Sequence, residues 1–301
     1  MLPEELLKKV RQIEFATRKR VDDVMSGNYR SSFKGQGVTF SEHRQYVAGD
    51  DIRHIDWKVS ARSRDPLVKK YEEEREISVL LVVDLSGSES FGSEARLKSE
   101  IAAELAGMIA FAAVHTGDKI GALLFASEVE KIIPPKKGRA HVQRIIREVL
   151  GYQPRTRGTQ LGAALDAAGR ILRHSGIVFV VSDFRSRDYV IPLKRLARRH
   201  EVTAIRIDDR RELEVPAVGW LRLEDPETGE ESWVDTGSYA FRNWHQAQVK
   251  AHSEGVEAAL KSTQATSLAL RTDEDCAEKL VRFFGEQARR IRSGSAGRRR
   301  G

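Results

Sequence analysis

The chain has a single cysteine, Cys276, in 301 residues, which excludes a disulfide framework and a thiolate metal cluster. A lone free cysteine in a helical-looking stretch reads as a small, half-buried side chain. No apolar run reaches the roughly 18–20 residues that a bilayer-spanning helix needs. The first residues carry Glu4 and Glu5 with no signal-peptide core behind them, so the expected location is the cytoplasm. The eight histidines show no His-Glu-x-x-His or comparable ligand spacing, which removes a zinc hydrolase from consideration. Neither a Gly-x-x-x-x-Gly-Lys-Ser/Thr loop nor a Gly-x-Ser-x-Gly elbow occurs, so an intrinsic ATPase and a serine esterase both lack their defining turn. Gly35-Gln36-Gly37 alone is a weak phosphate signal, because no Lys-Ser/Thr follows it.

Charge of one sign is also scarcer than it first looks. The formal net charge is +7, but Arg289, Arg290, Arg292, Arg298, Arg299 and Arg300 account for six of it without an intervening acid. The rest of the chain carries only +1. No aromatics interleave with those arginines to stack on bases, so a specific nucleic-acid module is disfavoured. Residues 293–301 read as a basic, disordered tail.

What is present is an alternation of strands and helices. Residues 4–25 have helical spacing, with Leu6, Val10, Ile13, Val21 and Val24 near one face. Ile77 to Val83 is short, β-branched and apolar on both faces, as a strand buried inside a parallel sheet must be. A helix over 98–115 follows, stopped by Gly117. Strands at 119–125 and 129–133 read as an edge hairpin, which tolerates Pro134 and Pro135. Helices at 139–150, 160–173 and 188–199 flank strands at 177–181 and 202–207. A hairpin insertion at 216–236 turns at Asp225-Pro226-Glu227-Thr228-Gly229. A helix over 238–261, a strand near 268–270 and a helix from 274 to 291 complete the pattern. The expected fold is α/β: a doubly wound, mostly parallel, Rossmann-like sheet spanning 77–292, with residues 1–76 as an N-terminal extension. Those 76 residues hold too few apolar side chains for a core of their own, so they are expected to pack on the main domain through Ile52, Ile55 and Trp57.

Polar residues begin where the buried strands stop. Asp84-Leu85-Ser86-Gly87-Ser88 follows the first core strand, Thr159 precedes a helix, and Asp183 follows the strand at 177–181. In an open α/β sheet the carboxyl ends of the strands form the ligand crevice. A serine after a strand can simply cap the next helix; a convergent set of hydroxyls and carboxylates asks for more than a cap. Oxygen donors of this kind suit a hard cation that keeps part of its water, Mg²⁺ or Mn²⁺.

These residues resemble the metal-ion-dependent adhesion site of von Willebrand factor type A domains: Asp-x-Ser-x-Ser, as Asp84, Ser86 and Ser88, with a distant Thr and Asp, as Thr159 and Asp183. The Gly49-Asp50-Asp51-Ile52-Arg53-His54-Ile55-Asp56-Trp57 run and Arg271-Thr272-Asp273 ahead of Arg282-Phe283-Phe284 resemble the bacterial "domain of unknown function 58" family, over nearly the whole chain. Members commonly accompany MoxR-type AAA+ ATPases. The resemblance therefore implies a metal-dependent interaction module, an adaptor or chaperone-like cofactor of such an ATPase and possibly a client protein, with no catalysis of its own. Two carboxylates would leave the metal electrophilic and open to an acidic group from the partner. Arg155 and Arg157 beside Thr159, and Asp50, Asp51, Arg53, Asp56 and Trp57, are further candidates for partner contact, although solvated ion pairs and packing explain them more readily. The alternative is a Mg²⁺-dependent phosphotransferase or phosphatase with Asp84 as nucleophile. Such enzymes place a second Asp two residues on, where this chain has Ser86.

Overall fold

A computed structural model describes residues 3–20, 39–47, 50–63, 65–72, 76–90, 96–225 and 228–297. The chain forms two compact units, 34–77 and the remainder. Helix α1 (Pro3–Arg20) belongs to the larger one. In the smaller unit β1 (Thr39–Gln45) and β2 (Leu67–Glu72) pair antiparallel. Between them lie a 3₁₀ turn (Ile52–His54) and the short helix α2 (Trp57–Ser60), capped by the Asp56 carboxylate. Ile55 bridges to Val68 in β2, whereas Ile52 and Trp57 are 64% and 67% exposed. Residues 21–38, including Gly35-Gln36-Gly37, lie outside the described residues.

The larger unit is built on β3 (Ser78–Asp84), buried from Val79 onward. It is followed by α3 (Lys98–His115), β4 (Lys119–Phe125), β5 (Val129–Lys136), α4 (Arg139–Gly151), α5 (Leu161–Ile171), β6 (Ile177–Ser182), α6 (Val190–Ala197), β7 (Glu201–Asp208) and the single turn α7 (Arg210–Leu213). The hairpin β8 (Trp220–Glu224) and β9 (Glu231–Asp235), helix α8 (Tyr239–Lys261), β10 (Thr266–Arg271) and α9 (Cys276–Gly297) close the unit. Six strands form one sheet in the order β10-β7-β6-β3-β4-β5. All neighbours are parallel except β4 and β5. This is the mostly parallel α/β sheet expected from the alternation, with the two prolines on the antiparallel edge strand. The chain leaves β3 toward β4 on one side and later leaves β6 toward β7 on the other. The carboxyl ends of β3 and β6 therefore flank the point where the winding reverses.

Helices cover both faces. Val256 and Leu260 of α8 join Leu161, Leu165, Leu193 and Leu196 of α5 and α6 over Leu80, Val82 and Val180. On the opposite face α3 is apolar nearly all round because it is covered twice, by the sheet beneath and by α1 and α4 outside. Gly107 permits that stacking: a Cβ there would lie 3.1 Å from Ile146 and 3.2 Å from Ile13. Buried Glu14 of α1 is held by Arg139 and by Gln143 at 2.7 Å. Helix α9 runs to Gly297, past the expected start of the tail at 293. Extending an existing helix adds a hydrogen bond per residue without a new nucleus, so weak formers are carried along. Among the described residues, no helix is long and apolar enough to cross a membrane.

Gly162, in the first turn of α5, matters for the site. A Cβ there would stand 2.6 Å from the Asp188 carbonyl oxygen, so glycine alone lets α5 approach the loop that follows β6. Gly162→Ala is expected to cost about 1–3 kcal/mol through overpacking, read as a lower urea midpoint of the full chain. An unchanged midpoint would show that the helix has room to spare.

Candidate metal centre

Strand β3 ends by burying a carboxylate and then satisfying it locally. The Ser86 backbone N–H donates to Asp84 Oδ1 at 2.9 Å, and Ser182 Oγ, at the end of neighbouring β6, donates to Asp84 Oδ2 at 2.7 Å. The Ser86 and Ser88 hydroxyls lie 3.1 Å apart. A 3₁₀ turn (Gly87–Ser90) starts from them, with the Glu89 N–H donating to the Ser86 carbonyl at 3.0 Å. Two residues past the end of β6, Phe184 is, among the described residues, the one non-glycine residue with positive φ, at 58°. Its backbone N–H donates to Ser182 Oγ, while that of Arg185 donates to Asp183 Oδ1, each at 3.1 Å. A phenylalanine in the left-handed region is strained, and strain of this kind persists where the surroundings over-determine it. Here the Phe184 ring is locked in the core edge-on to Tyr189, centroids 5.4 Å apart, and Asp183 is thereby turned toward Asp84.

Three buried carboxylates converge at this edge. Asp84, Glu89 and Asp183 each offer an oxygen, and these oxygens lie within 4.8 Å of one another. Neither Glu89 oxygen, nor Asp183 Oδ2, has a hydrogen-bond partner among the described residues. Two cations face the acids. The fully buried Lys98 ammonium lies 2.6 Å from Glu212 of α7 and 4.0 Å from Asp183. The Arg185 guanidinium lies 3.6 Å from Asp183 and 3.9 Å from Glu212. Burial, and after it the Asp183 charge, push Asp84 up to about 7 despite its hydrogen bonds from Ser182 and Ser86. Burial raises Glu89 well above the usual carboxylate range, with Lys98 opposing and Asp183, Asp84 and Glu212 reinforcing the rise. For Lys98 burial works against the charge, yet Glu89, Glu212 and Asp183 outweigh it and raise its value. With every group ionised, Asp84, Glu89, Asp183 and Glu212 carry two more charges than Lys98 and Arg185 neutralise. A dication matches that deficit, and oxygen donors suit Mg²⁺ or Mn²⁺.

The structure brings Asp84, Ser86, Ser88 and Asp183 together. Thr159 is half-buried in the loop before α5 at the same edge; that loop is tied to the end of β4 by Gln160 N–H donating to the Ala126 carbonyl at 2.8 Å. Arg155 and Arg157 are exposed on this loop. The Arg155 and Thr156 backbone N–H groups are anchored on Glu130, and the Arg157 guanidinium fills the space beside Gly229 at the tip of the β8–β9 hairpin. In the 34–77 unit, Asp50 is held by Arg44 at 2.6 Å, Asp51 by Arg53 at 2.7 Å, and Asp56 lies 3.2 Å from His43; these charges are paired within the unit, while Trp57 is exposed. Sequence reasoning missed Glu89, Lys98, Ser182, Arg185 and Glu212. Glu89 had a signal, a carboxylate directly after the second motif serine. Lys98 had a fainter one, a charge opening an Ala-rich helix whose other residues are almost all apolar. Glu212 sits on a four-residue helix with no pattern to read.

The family described as "Protein of unknown function DUF58" matches residues 42–255. The chain is 32% identical over 290 residues to the uncharacterized protein Rv1480 of Mycobacterium tuberculosis, covering 95% of this chain and 90% of that one. The uncharacterized protein Mb1516 of Mycobacterium bovis matches with the same identity and coverage. The uncharacterized protein MAV169 of Mycobacterium avium is 34% identical over 162 residues, 52% of this chain and 94% of that one. Among solved structures, the conserved hypothetical protein BatB from Bacteroides thetaiotaomicron is similar with a TM-score of 0.43 and 13% identity, covering 72% of this chain and 99% of that one.

The electrostatics predict a pH dependence. A carboxyl whose folded value lies above its unfolded value holds a proton in the fold that the unfolded chain releases. Asp84 and Glu89 should therefore add a fall in the stability of metal-free protein as pH rises from about 4 through about 7, because the folded state binds the extra protons there, set against the opposite push of His141, His200, His245 and His252, whose values burial lowers. Asp84→Asn should flatten the fall, measured as urea midpoints in chelator at each pH. A difference between wild type and Asp84→Asn that stays constant across this window would contradict the placement of these charges.

Proposed function

The chain belongs to the DUF58 family of proteins of unknown function, and on that premise we propose that it is a metal-dependent protein-interaction module of the von Willebrand factor type A kind, an adaptor of a MoxR-type AAA+ ATPase in the cytoplasm. The observation that carries the reading is the meeting of Asp84, Ser86, Ser88 and Asp183 at the reversal of the sheet, where buried carboxylate oxygens are left without donors. Asp84, Ser86, Ser88 and Asp183, with Thr159 from the neighbouring loop, would hold Mg²⁺ or Mn²⁺. Bound there, the ion supplies a Lewis-acidic position for a carboxylate from the partner. The chain's own residues do the rest. Ser182 and the Ser86 N–H orient Asp84; the strained turn at Phe184 aims Asp183; Lys98 and Arg185 offset the remaining acid.

A six-stranded sheet with one antiparallel edge and its site between β3 and β6 fits this reading. So does the surface of the β8–β9 hairpin and the start of α8, where Trp220, Trp233, Tyr239 and Trp244 are between 58% and 74% exposed. Trp220, Arg222 and Trp233 share one face of that hairpin by register. Tryptophan, tyrosine and arginine are the residues that most often anchor protein interfaces. The choice of a MoxR-type ATPase as partner rests on the family resemblance.

The full chain should bind one Mg²⁺ or Mn²⁺ in titration calorimetry, and Asp84→Ala should abolish it. Affinity for the cognate ATPase, measured at constant ionic strength so that screening of the arginine tail does not intrude, should fall at least about tenfold, or 1.4 kcal/mol, with chelator and with Thr159→Ala. Tight binding that survives both would remove the metal from the interaction.

A further inference from the structure

We propose that Glu89 is a third carboxylate ligand of this centre, closing the metal from within the chain, so that a partner's carboxylate engages the ion only by displacing it. The inference rests on the metal reading above and changes its consequence. A site of two carboxylates is open to any acidic group. A site that carries its own third one is closed until something competes for it.

Three observations support Glu89 in that role. First, its carboxylate, those of Asp84 and Asp183, and no other trio of metal-binding side chains among the described residues, present oxygens within 4.8 Å of one another. Two oxygens on one hard cation are at most about 4–5 Å apart, twice a bond of about 2.0–2.6 Å, so these three can share an ion with little adjustment. Second, Glu89 is only 2% exposed and neither of its oxygens accepts a hydrogen bond from a described residue. A buried carboxylate left in that state is costly unless a cation or a proton joins it. Of the neighbouring cations, Lys98 makes its close contact with Glu212 at 2.6 Å and reaches Glu89 only through its charge, and Arg185 lies between Asp183 and Glu212. Third, Glu89 rides on the same 3₁₀ turn as Ser88 and begins from Ser86, whose carbonyl accepts the Glu89 N–H. A change in that one turn would withdraw Glu89, and Ser88 with it, while Asp84 stays anchored on Ser182.

The partner chemistry follows. An acidic side chain presented by a docked protein replaces one carboxylate by another, which conserves the charge at the metal. A free anion at low concentration has no docking surface to help it and loses the competition to an intramolecular ligand.

The test uses the full-length chain and Mn²⁺ alone, followed by water-proton relaxation, which reports both affinity and the number of waters on the bound ion. Glu89→Gln keeps the shape and removes the charge. It is expected to weaken Mn²⁺ binding at least tenfold and to raise the relaxation enhancement per bound ion as water takes the vacated position. In chelator the same variant should melt at or above the wild-type temperature, because the amide, unlike the carboxylate, needs neither a proton nor a cation to lie buried there. Wild-type affinity and relaxation in Glu89→Gln, with binding abolished in Asp84→Ala, would overturn the role of Glu89 and leave the metal centre standing. Wild-type binding in Asp84→Ala would overturn the centre itself. Should Glu89→Gln not fold, Glu89→Asp carries the same test: the shortened side chain should weaken Mn²⁺ binding, and unchanged affinity overturns the proposal.

Discussion

The structure is organised around a surplus of buried negative charge at the ends of two adjacent parallel strands. Carboxylates less than 5 Å apart repel by on the order of 3 kcal/mol even at an effective dielectric of about 20, and burial away from water adds to that cost. Several other features are intelligible only against this demand. Lys98 opens a helix that is apolar over most of its surface, and its ammonium is fully buried, a placement rarely tolerated without acids to meet it. The short helix after β7 exists at the right height to bring Glu212 to that ammonium. The left-handed Phe184 stores strain that only a well-packed ring can hold in place. Even with these, the negative charge is not balanced, and the two oxygens of Glu89 remain without donors.

The architecture delivers that charge where it is useful. Parallel strands buried on both faces can carry polar residues only at their ends, so the sheet pushes chemistry to its carboxyl edge. Helix α5 approaches this edge closely because Gly162 has no side chain, and the loop carrying Thr159 comes with it. The tip of the β8–β9 hairpin and the Arg157 loop touch at Gly229, which joins the hairpin to the loop that borders the site.

Much of this was legible in the sequence, for identifiable reasons. The apolar runs at 79–83 and 177–181 allow no other reading than buried strands, and a carboxylate at the end of each marks the functional edge. Asp84, Ser86 and Ser88 are local, so their meeting follows from a turn. Asp183 could be placed because its strand could. Glu89 was visible but unremarkable, one acid among many on a charged chain. Lys98 and Glu212 meet across more than a hundred residues, and nothing local in a four-residue helix announces its partner. The fate of α1 was hidden for a similar reason. Its amphipathic pattern says that one face is covered but not by what, and the covering surface, α3 and α4 around Gly107, lies far along the chain.

The claim at the centre of this account is that a divalent cation, and not protons alone, compensates the acids between β3 and β6. The most direct measurement is a crystal structure of the full-length chain grown in Mn²⁺, with diffraction recorded to reveal the anomalous signal of manganese. The account predicts one anomalous peak bonded by Asp84 and Asp183, with the Ser86 and Ser88 hydroxyls and the Glu89 carboxylate turned toward it. A map with no peak there at saturating Mn²⁺, the carboxylates lying as they do without the ion, would contradict it.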